Sequence, residues 1–367
     1  MNLVGTKPFK TSTQKWNNWQ WQLHNRLSSL HDLKQYLKLS QSEIAGLKYA
    51  QETFRVSITP YVISLMEFDN PLCPIRQQVI PTINEKISHP SDLIDPLGEE
   101  PYTAVEGLIH KYPDRALYLP IDNCASYCRY CTRSRLVNRG SLKTSKHTFD
   151  NVYNYIKSTP AIRDVLITGG DPLIMNTDTL CERISKINSI SHVQMIRLGT
   201  RTPTFLPQII TQQLVKQLRT AGVLYVSLHI NHPRELTPQT ITALNIMADG
   251  GLVMGNQSVL LKGINDKAEI IKNLNHKLLQ NRVTPYYLHL CDCVKGTSHF
   301  RTSIQTGIDI IDKLRGYTTG YAVPTLALDL PNGGGKVAIS SNTIIKQNGK
   351  KFILRNYQGL DWQYQEV

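Results

Sequence analysis

No apolar run in this sequence reaches the roughly 20 residues that a membrane-spanning helix needs. The opening residues, Met1-Asn2-Leu3-Val4-Gly5, pass into polar Lys and Thr without a secretory apolar core. A membrane-embedded or exported protein is therefore not expected, and a cytoplasmic address is. Cysteine is too sparse for a disulfide framework, with seven in 367 residues. Any long basic tract, or basic motif interleaved with aromatics, is missing too. The net charge of +13, from 41 Lys and Arg against 28 Asp and Glu, is scattered along the chain. No nucleic-acid partner is expected from that pattern. Anionic cofactors and a solvated surface account for part of the excess. What is present is 41% hydrophobic content with mixed charge, enough for a large core in one α/β domain or two smaller units.

Three of the seven cysteines stand together. Cys124, Cys128 and Cys131 form a C-x3-C-x2-C loop directly after the apolar run 116–121. Cysteine sulfur is a soft, anionic ligand, so three thiolates can hold three irons of a four-iron, four-sulfur cubane. The fourth iron then stays open to a small molecule bearing amino and carboxylate groups. Zinc is the competing reading, but a structural zinc site takes four ligands, and the nearest spare one, His110, has no fitting spacing. Cys73, Cys181, Cys291 and Cys293 read as buried or idle thiols. The C-x3-C-x2-C spacing resembles the signature of the radical S-adenosylmethionine (SAM) enzymes.

Along the chain, residues 1–105 read as mainly helical. Trp16, Trp19 and Leu23 recur at helical spacing, and Ser40 with Glu43 has the form of a capping box. Prolines 60, 71, 74 and 81 cut the rest of this region into short pieces. From 116 to about 330, short apolar runs alternate with stretches of helix length. The strands are expected at 116–121, 164–168, 194–198, 223–230, 252–254 with 258–261, and 285–290. Helices are expected at 148–158, 176–189, 208–220, 236–248 and 266–280. This is β/α repetition, hence a parallel sheet with helices outside. The fold expected is α/β, a partial (β/α)6-type TIM barrel, in which chemistry gathers at the C-terminal ends of the strands.

Longer blocks carry a further resemblance. Cys128-Arg129-Tyr130-Cys131-Thr132-Arg133-Ser134-Arg135 resembles the C-R-H-C-T-R-R-R loop of the lysine 2,3-aminomutase family. Similar blocks follow in order along nearly the whole chain: His110-Lys111-Tyr112-Pro113-Asp114-Arg115, Thr168-Gly169-Gly170-Asp171, Ile196-Arg197-Leu198-Gly199-Thr200-Arg201 and Ser227-Leu228-His229-Ile230-Asn231-His232-Pro233. Tyr286-Tyr287-Leu288-His289-Leu290-Cys291-Asp292 resembles P-Y-Y-I-Y-Q-C-D, and Asp329-Leu330-Pro331-Asn332-Gly333-Gly334-Gly335-Lys336 resembles D-A-P-G-G-G-G-K.

The resemblance implies a radical SAM core at 106–320, an N-terminal helical region at 1–105, and a C-terminal segment at 321–367 that carries the pyridoxal phosphate (PLP) lysine. It implies Cys124, Cys128 and Cys131 as iron ligands, and Gly169, Gly170, Asp171, His229 and Gln257 as SAM contacts. It implies Lys336 as the catalytic residue that takes PLP as an imine. Lys111, Tyr112 and Arg115 would lie by its phosphate. Arg133 would receive the substrate carboxylate, and Asp292 and Asp329 the side-chain ammonium. A site with two carboxylates wants a cation and disfavours glutamate. The implied reaction is migration of the amino group from the α to the β carbon, L-lysine becoming β-lysine. Ornithine, arginine, and a lysine aminomutase serving elongation factor P modification stand behind it. A reducing donor such as flavodoxin or ferredoxin is implied as partner. In the better-known clostridial type a cysteine follows Asn-Asp. Here Lys267 follows Asn265-Asp266, and residues 337–367 hold no cysteine. No inter-subunit zinc is therefore expected, and a homo-oligomer is left open.

Overall fold

The computed structural model describes residues 9–137 and 145–367, so the opening pentapeptide lies outside the described residues. Seven strands run parallel: β3 (Arg115–Ile121), β4 (Asp164–Gly169), β5 (Met195–Thr200), β6 (Val223–Leu228), β7 (Val253–Leu260), β8 (Val283–Leu290) and β9 (Thr325–Leu330). They are extended on one side by the antiparallel β1 (Thr103–Val105) and β2 (Leu108–Tyr112), and on the other by β10 (Gly335–Ala338). The order is sequential throughout. Helices Lys146–Lys157, Thr177–Asn188, Gln212–Ala221, Pro238–Asp249, Ala268–Gln280 and Ile304–Leu314 each join one parallel strand to the next. This is the partial (β/α)6 barrel expected, followed by a seventh parallel strand.

Parallel strands covered on both faces bury continuous apolar runs. Tyr118, Ile167, Leu198, Val226, Met254 and Val283 are register partners from β3 to β8, and all are buried. Five of the six helices between them start where a side chain satisfies a free N–H, the exception being Ala268–Gln280. Ser145, Asn176, Thr211, Thr237 and Ser303 all accept such a bond. Gly222, at φ +118°, ends the helix Gln212–Ala221 in the left-handed conformation.

Two local expectations change. β7 is one strand rather than the pair 252–254 and 258–261, because Asn256 and Gln257 keep the ladder to β8. The stretch from Trp16 to Leu23 is two helices, Thr13–Trp16 and Trp19–His24, because Asn18 caps a new start by accepting from Trp21 N at 2.8 Å. The Ser40–Glu43 capping box forms, with Ser40 N donating to Glu43 at 2.7 Å.

A second, three-stranded sheet follows, of β11 (Ile344–Asn348), β12 (Lys351–Arg355) and β13 (Asp361–Gln365), with only the middle of β12 half-buried. Among the described residues no helix is long and apolar enough to cross a membrane. β2 and β10 lie near opposite ends of the strand order, yet Lys336 N donates to Tyr112 Oη at 3.1 Å. The sheet is rolled far enough for β2 and β10 to meet.

Candidate active site

The cysteine loop leaves β3 at its C-terminal end and is clamped by the N-terminal region. Arg129, buried, grips Glu85 with two bonds of 2.8 and 2.6 Å and donates to Phe54 O. Arg129 N donates to Gln78 O, Tyr127 N to Ser57 O, and Arg26 Nη1 to Cys124 O at 3.0 Å. Cys124, Cys128 and Cys131 are free and half-buried. Burial raises the Cys124 thiol well above its ordinary value, with Asp171, Cys131 and Cys128 adding to it. Burial and Cys128 push Cys131 up to about 12. Cys124 and Cys131 are thus disfavoured as thiolates by burial and by their neighbours' charge, a penalty that a bound cation relieves. Among the described residues no three His, Cys, Asp or Glu side chains converge on a single ion. A cubane does not ask for that, since each thiolate reaches a different iron. The donor set fits a four-iron, four-sulfur cluster.

Gly169 and Gly170 end β4 directly against this loop. A Cβ on Gly170 would lie 2.1 Å from Asn123 O, and one on Gly169 2.6 Å from Ile121 O. Gly170 N donates to Ile121 O and Asp171 N to Asn123 O. Glycine is needed here for contact with the loop backbone. Asp171 is buried, its carboxylate accepting from Thr200 Oγ1, Arg201 N, Thr202 N and Leu173 N. Its side chain thus ties β4 to β5.

At the same C-terminal end, beside β8 and β9, Lys336 Nζ donates to Asp329 Oδ2 at 2.6 Å and lies 3.3 Å from His289 Nδ1. His289 Nε2 shares a hydrogen bond of 3.3 Å with Gln257 Oε1. Burial, then the Lys336 charge, holds His289 at about 3, so its ring is neutral. Burial, then Arg201 and Arg133, holds His229 at about 4. Asp292 is raised to about 6 by burial and by Asp329, while Thr132, bonded to it at 2.8 Å, opposes the rise.

Tyr112 stands beside Lys336 as noted, and its neighbours flank it. The Arg115 guanidinium lies 4.0 Å from the Tyr112 ring and bonds Asp114, while Lys111 Nζ donates to Leu97 O. Arg133, expected to meet the substrate carboxylate, is already paired, its Nε and Nη2 both on Glu99. Sequence reasoning passed over Glu99, Glu85 and the role of His289. Arg197 is an ion pair, bidentate on Asp164 at 2.9 and 2.8 Å. The signal for His289 was available, as it stands where the quoted block P-Y-Y-I-Y-Q-C-D has tyrosine.

A barrel of this kind, with three cysteines on the loop after its first parallel strand, defines a radical SAM enzyme. Residues 118–274 match the model of the radical SAM superfamily, and residues 311–367 match one described as lysine-2,3-aminomutase. An L-lysine 2,3-aminomutase of Fusobacterium nucleatum is 44% identical, over 100% of this chain and 87% of that protein. One from Clostridium subterminale is 43% identical, over 97% of this chain and 85% of its own length. A glutamate 2,3-aminomutase of Clostridioides difficile is 39% identical, over 94% and 82%. The chain belongs to the lysine 2,3-aminomutase family. It is an isomerase that uses a [4Fe–4S] cluster and SAM to move an amino group within an amino acid.

Proposed function

We propose that the substrate is L-lysine, the product β-lysine, and the second cofactor PLP held on Lys336. The observation that carries this reading is the group Lys336, Asp329 and Asp292. The Lys336 amine bonds Asp329, Asp292 just past β8 feels both of their charges, and Tyr112, with Arg115 over its ring, accepts from Lys336 N. Family membership alone does not choose the substrate, since a relative named for glutamate is similar too. The charge of the site favours lysine. Two carboxylates left facing an acidic side chain would repel it, whereas an ammonium pairs with both.

The chain's own residues then have separable tasks. Cys124, Cys128 and Cys131 hold the cluster, and Gly169 and Gly170 let the β4 end pack under their loop. His229 and Gln257 line the SAM side. His229 is kept neutral by burial and by the arginines around it. When bound, the cluster with SAM supplies a radical and PLP supplies a ring that delocalises an unpaired electron. Lys336 holds PLP covalently and yields it to the substrate amine. Arg133 presents the guanidinium end not taken by Glu99 to the substrate carboxylate. Asp292 and Asp329 fix the far ammonium, which orients the carbon to be attacked. A low-potential one-electron donor such as flavodoxin or ferredoxin reduces the cluster, and the cytoplasm is the compartment that provides one.

The test is anaerobic incubation of the reconstituted, reduced protein with SAM, PLP and L-lysine, with chromatography for β-lysine. Product from lysine, and none from glutamate, is the expected result. Cleavage of SAM without β-lysine would move the substrate elsewhere, to ornithine, arginine or a protein-bound residue.

A further inference from the structure

Arg201 follows β5 and ends inside the protein, against the cysteine loop. Its Nη1 lies 2.9 Å from Cys128 Sγ and also donates to Tyr130 Oη. Its Nη2 donates to Gln78 Oε1 and, at 3.0 Å, to Glu235 Oε2. Asn231 Nδ2 braces the same partners, donating to Gln78 Oε1 at 3.1 Å and to Tyr130 Oη. The Phe205 ring lies 4.2 Å from the guanidinium carbon. Arg201 and Glu235 are both buried. The guanidinium is held at both ends and cannot turn away from the sulfur.

A fixed cation donating to a thiolate in a poorly solvated place acts on whatever that sulfur binds. We infer that Arg201 is a positioning residue that sets the reduction potential of the cluster through Cys128, with Glu235 as its counterweight. This rests on the assignment of the cluster to Cys124, Cys128 and Cys131. Reduction by an external one-electron donor adds one negative charge to the cluster and no proton. Hydrogen bonds to the sulfurs and nearby charge therefore favour the reduced form and raise the potential. Glu235 lies on the far side of the guanidinium and cancels part of its field. The two residues thus push the potential in opposite directions, which a purely structural brace would not do.

The experiment is a dithionite titration of the reconstituted protein with redox mediators, followed by electron paramagnetic resonance, without SAM. It compares the wild type with Arg201→Met, Arg201→Lys and Glu235→Gln at equal iron and sulfide content. Arg201→Met is expected to favour the oxidised cluster by at least tenfold, about 59 mV for one electron. Arg201→Lys should stay near the wild type, and Glu235→Gln should shift to less negative potential. If Arg201→Met takes up no cluster, the positive shift in Glu235→Gln decides. Unchanged potentials in fully loaded variants, or shifts of one sign in both, overturn the inference while leaving the cysteine assignment standing. A wild type that assembles no cluster overturns both.

Discussion

Lys336 and Asp329 are register partners across the β9–β10 pair, and Lys336 Nζ donates to Asp329 Oδ2 at 2.6 Å. The hairpin between them, 331–334, includes Asn332 at φ +55° and Gly333 at φ +85°. The turn that joins the strands therefore also fixes which carboxylate meets the amine.

Lys336→Ala should abolish PLP loading, read as loss of cofactor absorbance and of borohydride-trapped adduct, while iron content stays at the wild-type level. Asp329→Asn should still load PLP but bind lysine about tenfold or more weakly, a loss of ~1.4 kcal/mol or more. Equal loading of Lys336→Ala and wild type would remove the lysine from its assigned task.

Asp292 gives a pH signature. Its pKa, raised to about 6 by burial and Asp329, lies above the unfolded value of about 3.9. The folded state therefore binds more protons in that window, and the residue lowers stability progressively as pH rises from about 4 to about 6. Asp292→Asn should melt at higher temperature than the wild type above pH 6 and at the same temperature near pH 3.5. Lysine affinity should move oppositely, improving in the wild type as pH rises through about 6 and losing that inflection in the variant.

The clamp on the cysteine loop can be broken from the N-terminal side. Glu85→Ala leaves the buried Arg129 guanidinium without its carboxylate, a change that typically costs about 3–5 kcal/mol. Chemical denaturation should show a loss of that order, and iron uptake should fall with it. A shift within 0.5 kcal/mol, the range of about ±0.5 seen for surface changes, would mean that the pair clamps nothing.

Gly170→Ala places a methyl 2.1 Å from Asn123 O, a contact that only a shift of the loop can relieve. Iron content after reconstitution should drop several-fold, with the secondary structure seen by circular dichroism unchanged. Full cluster uptake would show that the loop has room to give.

The alternation of strands and helices was legible in the sequence, because apolar runs and capping residues act locally. So were the blocks at 124–131, 168–171 and 329–336, through their resemblance to the lysine 2,3-aminomutase family. Tertiary structure decided which partners those residues have. Arg133 proved to be paired with Glu99, and Asp171 proved to be a brace rather than an open carboxylate. The meeting of Tyr112 with Lys336 spans 224 residues and comes from the rolling of the sheet, which strand pairing and twist set together and no short motif records. The seventh parallel strand was equally hidden, since 325–330 is short and only its ladder to β8 makes it part of the barrel.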